Sequence, residues 1–138
     1  MSDGYLLGVD IGTYESKGVI TTLDGKVVNV QVKPHTMLIP RQGWAEHDPE
    51  EVWWGDFCAI TRALLQETGI DPKAILAVGC SAIGPCMLPV DKDGNPLRMG
   101  VLYGIDTRAT AEIAFLEQKY SKQTLFEQTG NELSSQAV

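Results

Sequence analysis

Tyr5-Leu6-Leu7-Gly8-Val9-Asp10-Ile11-Gly12-Thr13-Tyr14-Glu15-Ser16-Lys17-Gly18-Val19-Ile20 reads as an apolar strand, a tight glycine-containing turn and a second strand. Tyr5 to Val9 is short, apolar and rich in strand formers, which predicts a buried strand. Asp10 then stands at the strand end with its carboxylate available for chemistry. Gly12 lets the backbone turn sharply and lets a ligand approach closely. The amides of Gly12 and Thr13 can form an anion-binding concavity, and Lys17 places a positive charge just beyond it. Asp10 for a hydrated metal, Gly12 and Thr13 for phosphate oxygens and Lys17 for charge together make a nucleotide-phosphate corner. The same Asp-x-Gly-Thr is also an ordinary turn between strands, with the aspartate bonded into its own loop. These residues alone leave both readings open. The stretch lacks the Gly-Lys-Ser/Thr ending of a P-loop, and no helix follows Gly12 as in the dinucleotide fingerprint.

The 138 residues suffice for one domain with a buried core. Apolar residues make up 43% and charged residues 21%, which is globular composition and excludes a disordered chain. The net charge of -7 argues against nucleic acid or an anionic membrane surface as partner. A local corner of amides can still bind phosphate on such a protein. No apolar run reaches the length of a membrane span. Met1-Ser2-Asp3-Gly4 carries no basic segment and no signal-like apolar region. Cys58, Cys80 and Cys86 form no C-x-x-C pair, so reduced, mostly buried thiols in a cytoplasmic protein are expected. His35 and His47 have no partner at metal-ligand spacing, so no zinc site is expected.

Further along, Asp24-Gly25 is a two-residue hairpin signal. It joins a strand over Gly18–Thr22 to a third over Lys26–Val32, in which valines alternate with polar residues. Three such strands make an antiparallel meander. Asp48 is a candidate N-cap, Pro49 suits the first helical position and Glu51 completes a capping box. Trp53, Phe57, Ile60 and Leu64 then repeat at helical spacing, beside a second stripe of Trp54, Cys58, Thr61 and Leu65. Gly69 and Pro72 end that helix. Ala74 to Ser81 predicts a fourth strand buried on both faces and parallel to the first. Val101 to Tyr103 predicts a short strand. Asp106 predicts the N-cap of a second helix, with Ala109, Ile113, Leu116 and Tyr120 on its apolar face. Leu125 and Phe126 suggest one more short helix, ended at Thr129-Gly130-Asn131.

The order β-β-β-α-β-α resembles the ribonuclease-H-like core of the actin-like ATPase superfamily, which holds the sugar kinases, Hsp70 and actin. Several segments look like the FGGY carbohydrate kinases. Asp10-Ile11-Gly12-Thr13 with Lys17 resembles the family's first phosphate motif. Gly43-Trp44-Ala45-Glu46-His47-Asp48-Pro49 with Trp53 is the most specific match. Asp91, Asp93-Gly94 and Pro96-Leu97, then Asp106 with Arg108, and Thr129-Gly130-Asn131 follow in the family's order. The resemblance favours the phosphate reading of Asp10. It departs at Gly84-Pro85, where xylulokinases carry Met-His and glycerol kinases Arg-Glu. It departs again at Tyr103-Gly104-Ile105-Asp106, which replaces Trp-x-Asp with one extra residue. Tyr14 stands where Ser or Thr is usual.

The resemblance implies an α/β fold: a three-strand antiparallel meander, one parallel strand and helices. Residues 1–138 would be the N-terminal part of the first domain of an FGGY kinase, truncated, with the second domain absent. It implies transfer of phosphate from ATP, with magnesium, to a hydroxyl of a sugar or polyol, a xylulose-like ketose favoured over glycerol. Asp10 would hold the magnesium through water. Gly12, Thr13 and Lys17 would serve the nucleotide phosphates. Ser81, Ala82, Ile83, Gly84, Pro85, Tyr103 and Asp106 would face the sugar. The general base would lie beyond this chain, so the isolated chain would be inactive. The implied partners are a small-molecule sugar or polyol and the missing C-terminal domain, with room for a homodimer of the full-length parent. Two rivals remain at this point: a non-catalytic sugar-binding or interaction module derived from a kinase, and a fragment of an Hsp70-like or actin-like ATPase.

Overall fold

The computed structural model describes residues 4–134. The described residues divide into two compact units, one of residues 4–37 and 47–83, the other of residues 38–46 and 84–134. In chain order the elements are β1 (Tyr5–Ile11), β2 (Glu15–Thr22), β3 (Val27–Pro34), β4 (Glu46–His47), α1 (Gly55–Thr68), β5 (Ile75–Ala82), β6 (Gly100–Val101), α2 (Thr110–Lys119) and α3 (Lys122–Thr129).

The first unit is a four-stranded sheet in the order β3-β2-β1-β5. β1 and β2 pair antiparallel, as do β2 and β3, while β1 and β5 pair parallel. This is the expected meander with an added parallel strand. The chain reverses at Asp24-Gly25 as predicted, but the loop is longer than two residues: β2 ends at Thr22, β3 begins at Val27, Gly25 takes φ 85° and its amide bonds the Thr22 carbonyl. The core lies between one sheet face and α1. Leu7, Val9 and Ile11 of β1 alternate inward, Ile20 joins them from β2, and Ile60 and Leu64 meet them from α1.

The turn leading into α1 is capped as the sequence predicts, with Asp48 accepting from the amides of Glu50 and Glu51 and Pro49 at the first position, but the Glu51 side chain does not reach back to close the expected capping box. This turn, Pro49–Trp54, is wide, a π-helical turn closed by Gly55 N–H on the Glu50 carbonyl. A β-carbon on Gly55 would stand 2.9 Å from that oxygen, so glycine is what lets the chain widen there. Gly69, left-handed at φ 66°, ends the helix. The second stripe is not buried as a whole, because Trp54 lies out in solvent and stacks on Phe57.

One strand settles a face the sequence left open, and another differs from expectation. β3 turns its valines away from α1: Val28, Val30 and Val32 are exposed, while Asn29, Gln31 and Lys33 face the helix. Asn29 and Gln31 donate to Glu67, and Lys33 pairs with Asp56, both acceptors on α1. Polar groups opposite polar groups decide which face turns inward. β5 was expected to be buried on both faces, yet it is exposed from Leu76 to Ala82. It lies at the sheet edge and pairs with β1 alone. The cysteines, all free, are likewise less buried than predicted: Cys80, on β5, is exposed and Cys58 and Cys86 are half-buried.

The second unit is loop-rich. Asp91 closes the predicted polar turn by accepting from the amides of Asp93 and Asn95. Leu102 is fully buried just after β6. α2 starts at Thr110, four residues later than Asp106, with no side-chain cap. Asp106 is therefore not its N-cap, and its carboxylate is turned to other donors. α3 is capped by Ser121 and ended by left-handed Gly130.

The helix packs tightly on the sheet at Gly18 of β2. A β-carbon there would fall 2.2 Å from Ile60 Cγ2 and 3.1 Å from Leu64 Cδ1. Gly18→Ala is expected to overpack this seam and destabilise the protein by about 1–3 kcal/mol, read as a lower denaturant midpoint. An unchanged midpoint would mean that α1 is free to shift off the sheet.

Candidate functional site

The parallel register of β1 and β5 sets Asp10 beside Ser81, and the antiparallel register of β1 and β2 sets Asp10 opposite Lys17. All three sit on the sheet face away from α1. They line an open hollow of about 410 Å3 together with Gly8, Val19 and Gly79. Ser81 Oγ donates a hydrogen bond to Asp10 Oδ1. Lys17 Nζ is 2.7 Å from Glu15 Oε1, and that hydrogen bond, then the charge of Glu15, raises the Lys17 pKa above its ordinary value.

The turn beyond β1 is drawn tight by Gly12, whose amide donates to the Glu15 carbonyl at 3.0 Å. A β-carbon on Gly12 would stand 2.6 Å from that oxygen. The Gly12 amide is thus engaged inside the turn, unlike the expected phosphate donor. The Thr13 and Tyr14 amides face no acceptor among the described residues. Behind the turn, His35 Nε2 lies 3.1 Å from the Gly12 carbonyl and His47 Nε2 lies 3.0 Å from the Thr13 carbonyl. His35 Nδ1 is 2.7 Å from Asp56 Oδ2. Asp56 is fully buried and also accepts from Ser16 Oγ and Lys33 Nζ. Burial alone would raise its carboxyl, but the hydrogen bonds from Lys33, Ser16 and His35 outweigh it and hold the pKa below the usual carboxylate range.

Sequence reasoning missed this cluster. Its signal was there: Asp56 interrupts the apolar spacing of Trp53, Phe57 and Ile60, and Lys33 continues the inward positions of Asn29 and Gln31. The two histidines lack metal-ligand spacing, and each points one nitrogen at a backbone carbonyl, a partner no spacing rule reveals.

The residues expected to face a sugar are divided. Ser81, Ala82 and Ile83 belong to the first unit, where Ser81 joins Asp10 and the Ile83 amide bonds the Ile11 carbonyl. Gly84, Pro85, Tyr103 and Asp106 belong to the second. Tyr103 is exposed. Asp106 is buried, and both its oxygens are engaged by protein donors: the Ala45 amide, the Arg108 amide and the Arg108 guanidinium. Arg108 also bonds Glu46 and covers the Trp44 ring at 3.8 Å. Burial opposes ionisation of Asp106, yet Arg108 and the Ala45 amide keep its pKa low.

Among the described residues no three His, Cys, Asp or Glu side chains stand together as a metal site. A magnesium ion here would rest on one carboxylate and its own waters, which suits an ion that dehydrates reluctantly. Asp10 fits that need, being an exposed residue in the lining of the hollow.

Three comparisons with known proteins converge. The protein-family model for the FGGY family of carbohydrate kinases, N-terminal domain, matches residues 5–137. A glycerol kinase of Trichormus variabilis is 33% identical over 131 residues, covering 94% of this chain and 26% of that protein. The structure of xylulose kinase from Rhodospirillum rubrum superposes with a TM-score of 0.82 at 28% identity, over 96% of this chain and 27% of that one. Gluconate kinase from Lactobacillus acidophilus gives 0.77 at 25% identity, over 91% and 25%. The chain spans about a quarter of the length of the curated relatives it matches.

The depressed pKa of Asp56 fixes the sign of a pH effect. Its contribution to stability is whole above the unfolded carboxylate value of about 4 and is lost as pH falls through the lower folded value. Thermal melts should therefore show stability declining on acidification below that range. Asp56→Asn should be less stable at neutral pH and show a shallower acid decline. An acid limb of the same depth in the variant would remove Asp56 as its source.

Proposed function

Because the chain belongs to the FGGY family of carbohydrate kinases, we propose that it supplies the nucleotide-phosphate corner of an ATP-dependent kinase acting on a sugar or polyol hydroxyl. The observation that carries this reading is the meeting of Asp10, Ser81 and Lys17 on one sheet face beside the Gly12–Thr13 turn. Family membership also removes the footing of an Hsp70-like or actin-like ATPase. Bound magnesium would supply charge neutralisation for the phosphoryl group in transfer. Asp10 would hold it through water, and Ser81 would fix the carboxylate's orientation from the neighbouring strand. The Thr13 amide, with Tyr14's beside it, would donate to phosphate oxygens. Lys17 would add a positive charge that Glu15 partly offsets.

For the acceptor, a xylulose-like ketose is our preferred substrate over glycerol. Gly84 and Pro85 bring no polar side chain where glycerol kinases carry Arg-Glu. Asp106 serves in this reading as the brace of the Trp44–Glu46 segment, with its carboxylate engaged by Arg108 and Ala45. The protein would work in the cytoplasm with a small-molecule sugar as its partner.

Asp10→Ala in the whole kinase should lower turnover by about 100-fold or more while leaving sugar affinity nearly unchanged. Steady-state rates and direct sugar binding, measured separately, check this, and near-normal turnover would refute the assignment. The 138-residue chain alone should release no ADP from magnesium-ATP with pentuloses, hexuloses or polyols. Sustained turnover of any one of them would place the general base within these residues.

A further inference from the structure

The turn that follows β1 is held from behind by two histidines, and nothing in the proposed phosphate site yet uses them. His35 and His47 stand edge-on, ring centroids 4.9 Å apart. His47 is fully buried, and the side chain of His35 is 4% exposed. Each points one nitrogen at a backbone carbonyl of the turn, His35 at Gly12 and His47 at Thr13. A carbonyl only accepts, so both Nε2 atoms donate. The second nitrogen of each ring is anchored elsewhere. Trp53 Nε1–H donates to His47 Nδ1 at 3.2 Å, which makes His47 the neutral Nε2–H tautomer. His35 Nδ1 faces the carboxylate of Asp56, itself fixed by Ser16 and Lys33. Burial lowers the His47 pKa, in keeping with a neutral ring.

In a planar trans peptide the C=O and the next N–H point in opposite directions. The Gly12 carbonyl shares its peptide with the Thr13 amide, and the Thr13 carbonyl shares its peptide with the Tyr14 amide. Holding both carbonyls against the histidines therefore aims both amides away from them. We propose that His35 and His47 are positioning residues that fix these two peptide planes, presenting the Thr13 and Tyr14 N–H groups as a preformed phosphate cradle. The inference rests on the reading of this turn as the phosphate site. Neither histidine touches the nucleotide. Asp56 and Trp53 act through them, so the cradle's geometry is set from α1 and its wide first turn.

The test uses the 15N-labelled 138-residue chain, its His47→Phe and His47→Gln variants, and magnesium-ADP as probe. In the wild type, long-range nitrogen–proton correlations should show His47 protonated on Nε2 and bare on Nδ1; the opposite tautomer overturns the clamp. His47→Phe keeps a ring but no donor, and should shift the Thr13 and Tyr14 amide resonances while sparing Ile60 and Leu64 of α1. It should also weaken magnesium-ADP binding about tenfold. His47→Gln can restore an N–H near the Nε2 position and should recover most of that loss. Unmoved Thr13 and Tyr14 resonances in a folded His47→Phe chain, or equal losses in both variants, would overturn the proposal. Should the wild-type chain give no response to magnesium-ADP, the phosphate reading fails, and the tautomer and amide resonances still decide the clamp.

Discussion

The carboxylate of Asp56 is the constraint on which the first unit is assembled. It is buried without exposure and takes hydrogen bonds from Ser16 of β2, Lys33 of β3 and His35 just beyond β3. A buried charge without such partners costs several kcal/mol, about 3–5 when one partner is removed. Three chain segments must therefore reach one point on α1 together. A slip of β3 by one residue would carry Lys33 to the valine face and leave Asp56 unpaired. The cluster thus specifies register as well as adhesion. Through His35 it extends to the Gly12 carbonyl, so the same carboxylate that seats the helix also orders the turn at the end of β1.

The order of strands, the hairpin at Asp24-Gly25, the Asp48 cap and the parallel return of β5 were legible in the sequence, because each rests on a local rule of turn chemistry, capping or periodicity. The face that β3 turns inward was not. Its alternation fixes two faces without ranking them, and the ranking comes from Asp56 and Glu67 on α1, an element far along the chain. β5 misled for a related reason. An apolar run signals a strand, but its burial depends on what covers it, and β5 lies at the sheet edge. At the candidate site, the strand–turn pattern singled out Asp10, Gly12 and Lys17 but not that the Gly12 amide is taken by the Glu15 carbonyl, and Ser81 was placed with the sugar pocket. Its bond to Asp10 follows from parallel register, a property of pairing that no single segment displays.

The segment from Gly43 to Pro49 decomposes physically. Trp44, Ala45 and Glu46 are held in the second unit by Arg108, Asp106 and Arg98. His47 and Asp48 serve the first, through the Thr13 carbonyl and the start of α1. Gly43, left-handed at φ 79°, receives the Thr107 amide on its carbonyl. The residues Gly43 to Asp48 thus each bond a different part of the fold and share no single task.

The edge position of β5 separates two kinds of integrity. β5 is held by one neighbour, and it joins β1 only after the chain has passed through the meander and α1, so its pairing closes a long loop. Such a strand belongs to the low-stability end of local opening. Were it to peel away, Ser81 would leave Asp10 and the Ile83 amide would leave the Ile11 carbonyl, while Leu7, Val9, Ile20, Ile60 and Leu64 would keep their contacts with one another. The corner can dissolve in a molecule whose core is intact. A ligand that engaged β1 and β5 together would act as a latch, adding its binding free energy to the closure of that strand. Slowed amide exchange would then appear along β5 first, with little change inside α1.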